Sequence, residues 1–185
     1  MKRNIVFLQL NSVDDFYENI STLEGFIDLL SNKKPDLFVI PKDSLAMLLN
    51  DQQKEEMFDC ISALSDFNEA AIVTAFTDGT CSKTIIQLPY KDPIIISKQS
   101  KLISLCDTLK VNILATSKGL EASYQKGFIN IVCDCLPEIN GDTQNVPVYQ
   151  DLCYSVPPSC GGSLIYYTGN TLKGGNSEGY IILEV

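Results

Sequence analysis

The spacing of apolar residues changes along the first forty positions, and this change predicts a strand, a helix and a second strand. Residues 4–10 (NIVFLQL) form a nearly continuous apolar run, which is typical of a strand covered on both faces. Apolar positions then recur every three or four residues from Phe16 to Leu30, and Ser12 is placed as the N-cap of that helix. Residues 36–40 (DLFVI) form a second buried run. The opening is therefore predicted to be a β-α-β unit with parallel strands.

The middle of the chain predicts two helical stretches and then mostly strands. Helical periodicity covers residues 44–49 and 54–64. Residues 70–76 form a third strand, and an Asp-Gly turn signal joins it to an antiparallel partner at 83–88. Residues 102–109 carry no pattern that assigns them. Further short apolar runs that suit strands are 94–96, 111–115, 127–133, 163–167 and 180–185.

Residues 127–138 (GFINIVCDCLPE) carry the densest candidate chemistry of the chain. An apolar strand stops there at Cys133, Asp134 and Cys135, and the chain turns at Pro137. Open α/β sheets bind ligands at the carboxyl ends of their strands. We therefore expect this strand to be central and its end to face a functional site.

Composition limits the classes of protein and partner. The 185 residues are 45% hydrophobic, enough for one sizeable core, so residues 1–185 are expected to form a single domain that becomes loop-rich from about position 139. The net charge of -9 disfavours nucleic acid, whose binding depends on basic side chains. No apolar stretch approaches the length of a membrane span or signal peptide, so a cytoplasmic protein without membrane contact is expected.

Cysteine and histidine usage narrows the chemistry further. Seven cysteines, an odd number without a secretory signal, predict free thiols, and Cys60, Cys81 and Cys106 are expected to be buried. Histidine is absent, which excludes Ser-His and Cys-His catalysis and histidine metal sites. A metal site remains an alternative, although the thiol spacing is not that of a zinc knuckle. Its four candidate ligands are Cys133, Cys135, Cys153 and Cys160.

The order of these segments resembles the nitrilase, or carbon-nitrogen hydrolase, superfamily. The similar pieces are NIVFLQL, a helix with ENI, DLFVIPKD, a hairpin, a lysine-bearing segment and GFINIVCDCLPE, over roughly residues 4 to 140. The resemblance implies an α-β-β-α sandwich with two mixed sheets in one domain, usually assembled into homo-oligomers. It implies no cofactor.

The same resemblance implies a thiolate nucleophile, a glutamate base and a lysine that stabilises the tetrahedral intermediate. Two of those positions depart from the family pattern. The residue directly after Pro41, where the glutamate is implied, is Lys42. Counting back without gaps from Glu138 places the nucleophile at Ile131, which has no nucleophilic atom.

Other residues are available for the missing roles. A small gap brings Cys133 to the nucleophile position, since strand alternation puts residues 131 and 133 on the same side. The gapless alignment places Lys101 at the implied lysine, with Lys98 as the fallback. Candidates for a displaced base are Asp134, Glu138 and Glu121.

Three functions follow from these residues. The first is a catalytically degenerate protein that acts as a small-ligand-binding or assembly module, with a pocket where Lys42, Lys101 and Cys133 converge. Its lysines favour a small anion such as a carboxylate. The second is an active amide hydrolase that uses Cys133 as nucleophile with Lys101. The third is a cysteine-rich metal-binding protein.

Overall fold

In the residues that it describes, a computed structural model shows two six-stranded sheets, two helices and a two-stranded pair. The structure describes residues 3–45, 49–79, 81–97, 100–105, 109–114, 129–132, 148–150, 154–155, 164–167, 170–173 and 178–185. The helices are α1 (Phe16–Ser31) and α2 (Asp51–Asn68). The strands are β1 (Asn4–Gln9), β2 (Asn11–Ser12), β3 (Leu37–Val39), β4 (Ala71–Asp78), β5 (Cys81–Gln87), β6 (Ile94–Ile96), β7 (Ser100–Ser104), β8 (Lys110–Leu114), β9 (Ile129–Val132), β10 (Val148–Gln150), β11 (Tyr154–Ser155), β12 (Leu164–Tyr167), β13 (Asn170–Lys173) and β14 (Gly179–Glu184).

The first sheet has the strand order β14-β1-β3-β4-β5-β6. Strands β1 and β3 are parallel, as the sequence predicts for a β-α-β opening, and β4 is parallel to β3. Strands β14, β5 and β6 run antiparallel to their neighbours. The predicted hairpin between β4 and β5 is confirmed, and Gly79 in its turn has a φ of 61°, a conformation that glycine adopts without strain.

The second sheet has the order β13-β12-β10-β9-β8-β7. Strands β8, β9 and β10 are parallel, so β9 is a central strand, as predicted. The strand predicted over 127–133 is described at Ile129–Val132. Residues 102–109, which no pattern assigned, contribute most of β7, an edge strand.

Two apolar cores hold these layers together. One core consists of side chains from both sheets, including Phe7, Val73, Ile103 and Ile131. The other lies between the opposite face of the first sheet and the two helices, and includes Phe38. The first sheet is thus covered on both faces, which explains why β1 and β3 are continuously apolar in sequence.

Both helices begin at residues other than those predicted from the sequence. The N-cap of α1 is Asp15, whose carboxylate accepts the N–H groups of Tyr17 and Glu18, whereas Ser12 lies in β2 and pairs with Ser155. The prediction of Ser12 as N-cap is therefore wrong. Helix α2 begins after Asn50 in a capping box, and the described residues of the predicted 44–49 helix are not helical. Neither described helix is long and apolar enough to cross a membrane.

Asp78 ties the β4–β5 hairpin to the start of α2. The ammonium groups of Lys83 and Lys54 both donate to its carboxylate, Lys54 over 2.9 Å. These hydrogen bonds, with the Lys83 bond contributing most, lower the pKa of Asp78 from 3.8 to about 2. The hairpin and the helix are thereby linked through one charged group at the surface.

We expect Asp78→Asn to make the stability of the fold depend less on pH in the acid range. A carboxyl pKa that is lower in the folded than in the unfolded chain stabilises the fold above about pH 4, and that contribution is lost as pH falls toward 2. The urea midpoint should therefore fall less between pH 4 and pH 2 in the variant than in the wild type. The exposed Asp14→Asn change is the control, and an Asp78→Asn profile parallel to the wild type would contradict the assignment.

Candidate functional site

The chain leaves β3 through Pro41, Lys42 and Asp43, which run beside the end of β4. The N–H of Ile40 donates to the Val73 carbonyl over 2.8 Å, and the N–H of Asp43 donates to the Ala75 carbonyl over 2.9 Å. The exit segment thus continues alongside β4 beyond the last residue of β3. Lys42 is in the predicted place, at the carboxyl end of its strand, with 18% of its side chain exposed.

Asp43 is held in one orientation by Thr77, near the end of β4. Its Oδ1 accepts the Thr77 N–H over 2.7 Å, and its Oδ2 accepts the Thr77 hydroxyl over 3.0 Å. Thr77 follows Ala75 by two residues, so both lie on the face of β4 that packs toward the second sheet. The Asp43 backbone has a φ of 56°, which is uncommon for a residue with a side chain although Asp tolerates it. This geometry fixes a carboxylate one residue after Lys42.

Asn19, on α1, forms hydrogen bonds with two loops, the one that precedes α1 and the one that follows β3. Its Nδ2 donates to the carbonyls of Val13 and Leu45 over 2.8 Å each, and its Oδ1 accepts the Val13 N–H over 2.9 Å. The side chain is buried, with 3% exposure. Because Leu45 follows Asp43 by two residues, Asn19 anchors the loop that carries Lys42 and Asp43. This is the asparagine of the ENI segment.

Lys101 lies on β7 with its side chain exposed. It is opposite Ile113 of β8, which is opposite Ile131 of β9, and residues paired in this way share a face of the sheet. Ile113 and Ile131 pack between the two sheets. Lys101 therefore belongs to the inner face of the second sheet, near the start of an edge strand.

Ile131 is a core residue. Its side chain is fully buried among apolar side chains of both sheets. The position that the gapless alignment gives to the nucleophile is thus occupied by a packing residue. Cys133 lies outside the described residues, two positions further along the chain, and β9 is described as far as Val132. Other predicted candidates outside the described residues are Lys98, Cys106, Glu121, Asp134, Cys135, Glu138, Cys153 and Cys160.

The strand directions bring Lys42, Lys101 and the last residue of β9 to one end of the sandwich. Strands β3, β4 and β6 all finish at the same end of the first sheet. Three residues separate β6 from β7, so β7 must begin within about 15 Å of that end. Strands β8 and β9 finish where β7 begins. We call this end, where β3, β4, β8 and β9 finish, the carboxyl end.

A shallow cleft at the opposite end supports this orientation. It has a volume of about 170 Å³ and brings Ser104 and Leu105, at the end of β7, against Asp36 and Ala71, at the beginnings of β3 and β4. Strand β7 therefore runs from the carboxyl end to the opposite end. Lys101, its second residue, lies toward the carboxyl end.

Two hydroxyl groups on the inner face of β5 add polarity near the carboxyl end. Ser82 is opposite Thr77, and Thr84 is opposite Ala75. Ser82 Oγ and Thr84 Oγ1 are buried and make no hydrogen bond within the part of the chain that the structure describes. Buried hydroxyls normally have partners, so these atoms mark a place where the sheet interior is suited to polar contacts.

The structure describes two cysteines, Cys60 on α2 and Cys81 at the start of β5. Cys60 is partly buried, not buried as predicted. Its burial, with the nearby Glu24 carboxylate, raises the pKa of its thiol to about 11, so very little of it is thiolate at neutral pH. Cys81 is exposed as the first residue of β5, so its predicted burial is wrong. Among the described residues, no group of three or more cysteine, aspartate or glutamate side chains is arranged to hold a metal ion.

Asp43, like Ser82 and Thr84, is a polar residue near this end that the sequence analysis did not predict as part of a site. The signal was present in the sequence, because a carboxylate directly follows Lys42. Only the hydrogen bonds to Thr77 show that its carboxylate is held beside the inner face of the first sheet.

No family model matches the chain, and no curated protein matches it by sequence. Solved structures of similar fold include an amidase from Nesterenkonia sp., with a TM-score of 0.79 at 11% identity over 99% of this chain and 90% of that chain. A cysteine-to-serine variant of the Nesterenkonia AN1 amidase, from the nitrilase superfamily, has a TM-score of 0.80 at 11% identity, over 99% and 91%. A cysteine-to-alanine variant in complex with butyramide gives 0.78 at 12%, over 99% and 90%. The predicted nitrilase-like α/β sandwich is confirmed as the fold.

Proposed function

We propose that this protein binds a small polar ligand at the carboxyl end of its nitrilase-like sandwich and lacks conventional carbon-nitrogen hydrolysis. The observation that carries the proposal is Lys42, at the end of β3 where the resemblance implies a glutamate base. An ammonium group has no lone pair with which to take a proton from a thiol or a water. Binding requires no such proton transfer.

Polar groups at the carboxyl end support a binding role. Lys42 supplies hydrogen-bond donors there, and Lys101 supplies more from the inner face of the second sheet. The buried hydroxyls of Ser82 and Thr84 lie on the facing sheet. The ligand class under this proposal is a small anion, such as a carboxylate, or an amide. Variants of one amidase of similar fold, from Nesterenkonia sp. AN1, have been solved in complex with acrylamide and with butyramide.

An amide hydrolase that uses Cys133 and Lys101 is the second candidate. The observation that favours it is the direction of the strands, since β9 finishes at the end where β7, with Lys101, begins. In such a reaction the thiolate attacks the amide carbon, and Lys101 stabilises the resulting oxyanion. The C–N bond then breaks, the amine leaves with a proton, and water hydrolyses the thioester to a carboxylate. This candidate needs a group other than Lys42 to accept the thiol proton.

Ammonia release and calorimetry with butyramide distinguish the two candidates. We expect the wild type to give saturable binding heat but no more ammonia than Cys133→Ser, because the conventional base is absent. Lys101→Met should weaken binding without changing the ammonia background. Turnover by the wild type that Cys133→Ser abolishes would establish the hydrolase instead. Absence of binding by both butyramide and butyrate would remove the ligand-binding proposal.

A further inference from the structure

The ammonium of Lys42 has a carboxylate beside it, and the pair changes the charge that a ligand meets. Lys42 Nζ and Asp43 Oδ2 are 4.0 Å apart, and the two side chains are 18% and 22% exposed. We propose that Asp43 sets the charge selectivity of the ligand site proposed above, an inference that rests on that function. The carboxylate of Asp43 makes the site reject carboxylate ligands and accept an uncharged ligand that presents an N–H donor beside a C=O acceptor.

The carboxylate of Asp43 is fixed before any ligand arrives. Both of its oxygens accept hydrogen bonds from Thr77, over 2.7 Å and 3.0 Å. The backbone of Asp43 is held in its left-handed conformation by the N–H bond to Ala75. Uncommon backbone conformations that the surrounding hydrogen bonds enforce are concentrated at binding and catalytic sites. A pre-positioned acceptor loses little conformational entropy when a ligand binds.

The negative charge of Asp43 makes the site select against anionic ligands. An anionic ligand that approaches Lys42 within hydrogen-bond distance also approaches the negative charge of Asp43, because the two charges are only 4.0 Å apart. Repulsion at that separation offsets the attraction of the lysine, and it is stronger in a partly buried site than in water. The two lysines of the site therefore do not suffice to make it an anion site.

Hydrogen-bond complementarity favours the uncharged ligand. A carboxylate only accepts hydrogen bonds, and an ammonium only donates them. A group with an N–H next to a C=O satisfies both, with its N–H directed at Asp43 and its carbonyl at Lys42. A ligand carboxylate offers no donor to Asp43. The paired charges thus select by hydrogen-bonding pattern as well as by charge.

Calorimetry with butyramide and butyrate, which share one carbon skeleton, tests the inference. We expect the wild type to bind butyramide at least about tenfold more tightly than butyrate. Asp43→Asn should shrink or invert that ratio, because it removes the negative charge while keeping side-chain size and tolerance of the left-handed backbone. The fold of the variant is checked by circular dichroism.

Asp36→Asn is the matched control. Asp36 precedes β3 as Asp43 follows it, is also 22% exposed, accepts the Asn4 N–H over 3.0 Å and lies 2.8 Å from Arg3. The control changes the net charge equally at the opposite end, so the ratio should stay at its wild-type value. An equal effect of Asp36→Asn, an unaltered ratio in Asp43→Asn, or wild-type preference for butyrate overturns the inference.

The outcomes also separate this inference from the function on which it rests. If butyrate binds more tightly than butyramide, the ligand site stands and the role of Asp43 is wrong. If neither compound binds, the ligand site itself is wrong. Should Asp43→Asn fail to fold, Lys42→Met serves instead. It leaves Asp43 in place and should weaken butyrate more than butyramide, and equal losses would contradict the selectivity.

Discussion

Ile131→Ala is expected to lower the free energy of unfolding by roughly 3 to 4 kcal/mol, as truncation of a buried branched side chain does. Ile131 is fully buried between the sheets on a central strand, with neighbouring strands on both sides. Its removal leaves a cavity that the paired backbones cannot readily close. Urea unfolding at neutral pH, with linear extrapolation, measures the loss.

Ile95→Ala provides the comparison. Ile95 is also an isoleucine in a strand, but it lies on the edge strand β6 and is 47% exposed. Its truncation should cost no more than about 1 kcal/mol. Equal costs at the two positions would show that Ile131 is not the packing residue described above, and would reopen its alignment with the nucleophile.

Asn19→Ala is expected to destabilise the protein by about 3 kcal/mol, since it removes three hydrogen bonds from backbone groups near the exit of β3. The carbonyl of Leu45 loses its partner in a buried environment, where water does not replace it. For a chain of this size the loss corresponds to a melting temperature lower by roughly 10 °C. Differential scanning calorimetry measures the shift.

Asn68→Ala is the control for Asn19. Its Nδ2 donates one hydrogen bond, to the Leu64 carbonyl over 2.9 Å, at the end of α2. The change should cost about 1 kcal/mol, the value of one partly buried hydrogen bond. If Asn19→Ala costs no more than this, the anchoring of the loop of Lys42 and Asp43 is not the stabilising feature described here.

The strands of the first sheet were predictable because their environment is uniform. Helices cover one face and the second sheet covers the other, so the residues of β1 and β3 are nearly all apolar. The apolar face of α1 was predictable for the same reason, since Phe16, Leu23 and Leu30 recur at helical spacing and are all buried.

Long-range pairing accounts for the wrong N-cap. Ser12 has the side chain of a good cap, but it pairs in β2 with Ser155, far along the chain, and Asp15 caps α1 instead. Local sequence contains no signal for that distant partner. Strand β7 escaped assignment for another reason: it is an edge strand in which Lys101 and Leu102 are exposed and Ile103 is buried.

The candidate site was predictable in part. Pro41 and Lys42 predict the end of β3, and Lys42 follows that strand in the structure. The family resemblance points to Lys101, and its place on the inner face depends on pairing with β8. The orientation of the Asp43 carboxylate could not be predicted from the sequence, because it depends on hydrogen bonds to Thr77, 34 residues further along the chain.

The pairing of β7 with β8 limits how this chain can change in evolution. Lys101 lies two residues before the buried Ile103, and both are paired with β8. Because successive residues of a strand point to opposite faces, inserting or deleting one residue between Lys101 and Ile103 would turn Lys101 outward. Changes of length in the three residues between β6 and β7 leave this spacing intact. Descendants of this chain that retain an inward lysine should therefore keep the spacing from Lys101 to Ile103, while the preceding passage is free to drift.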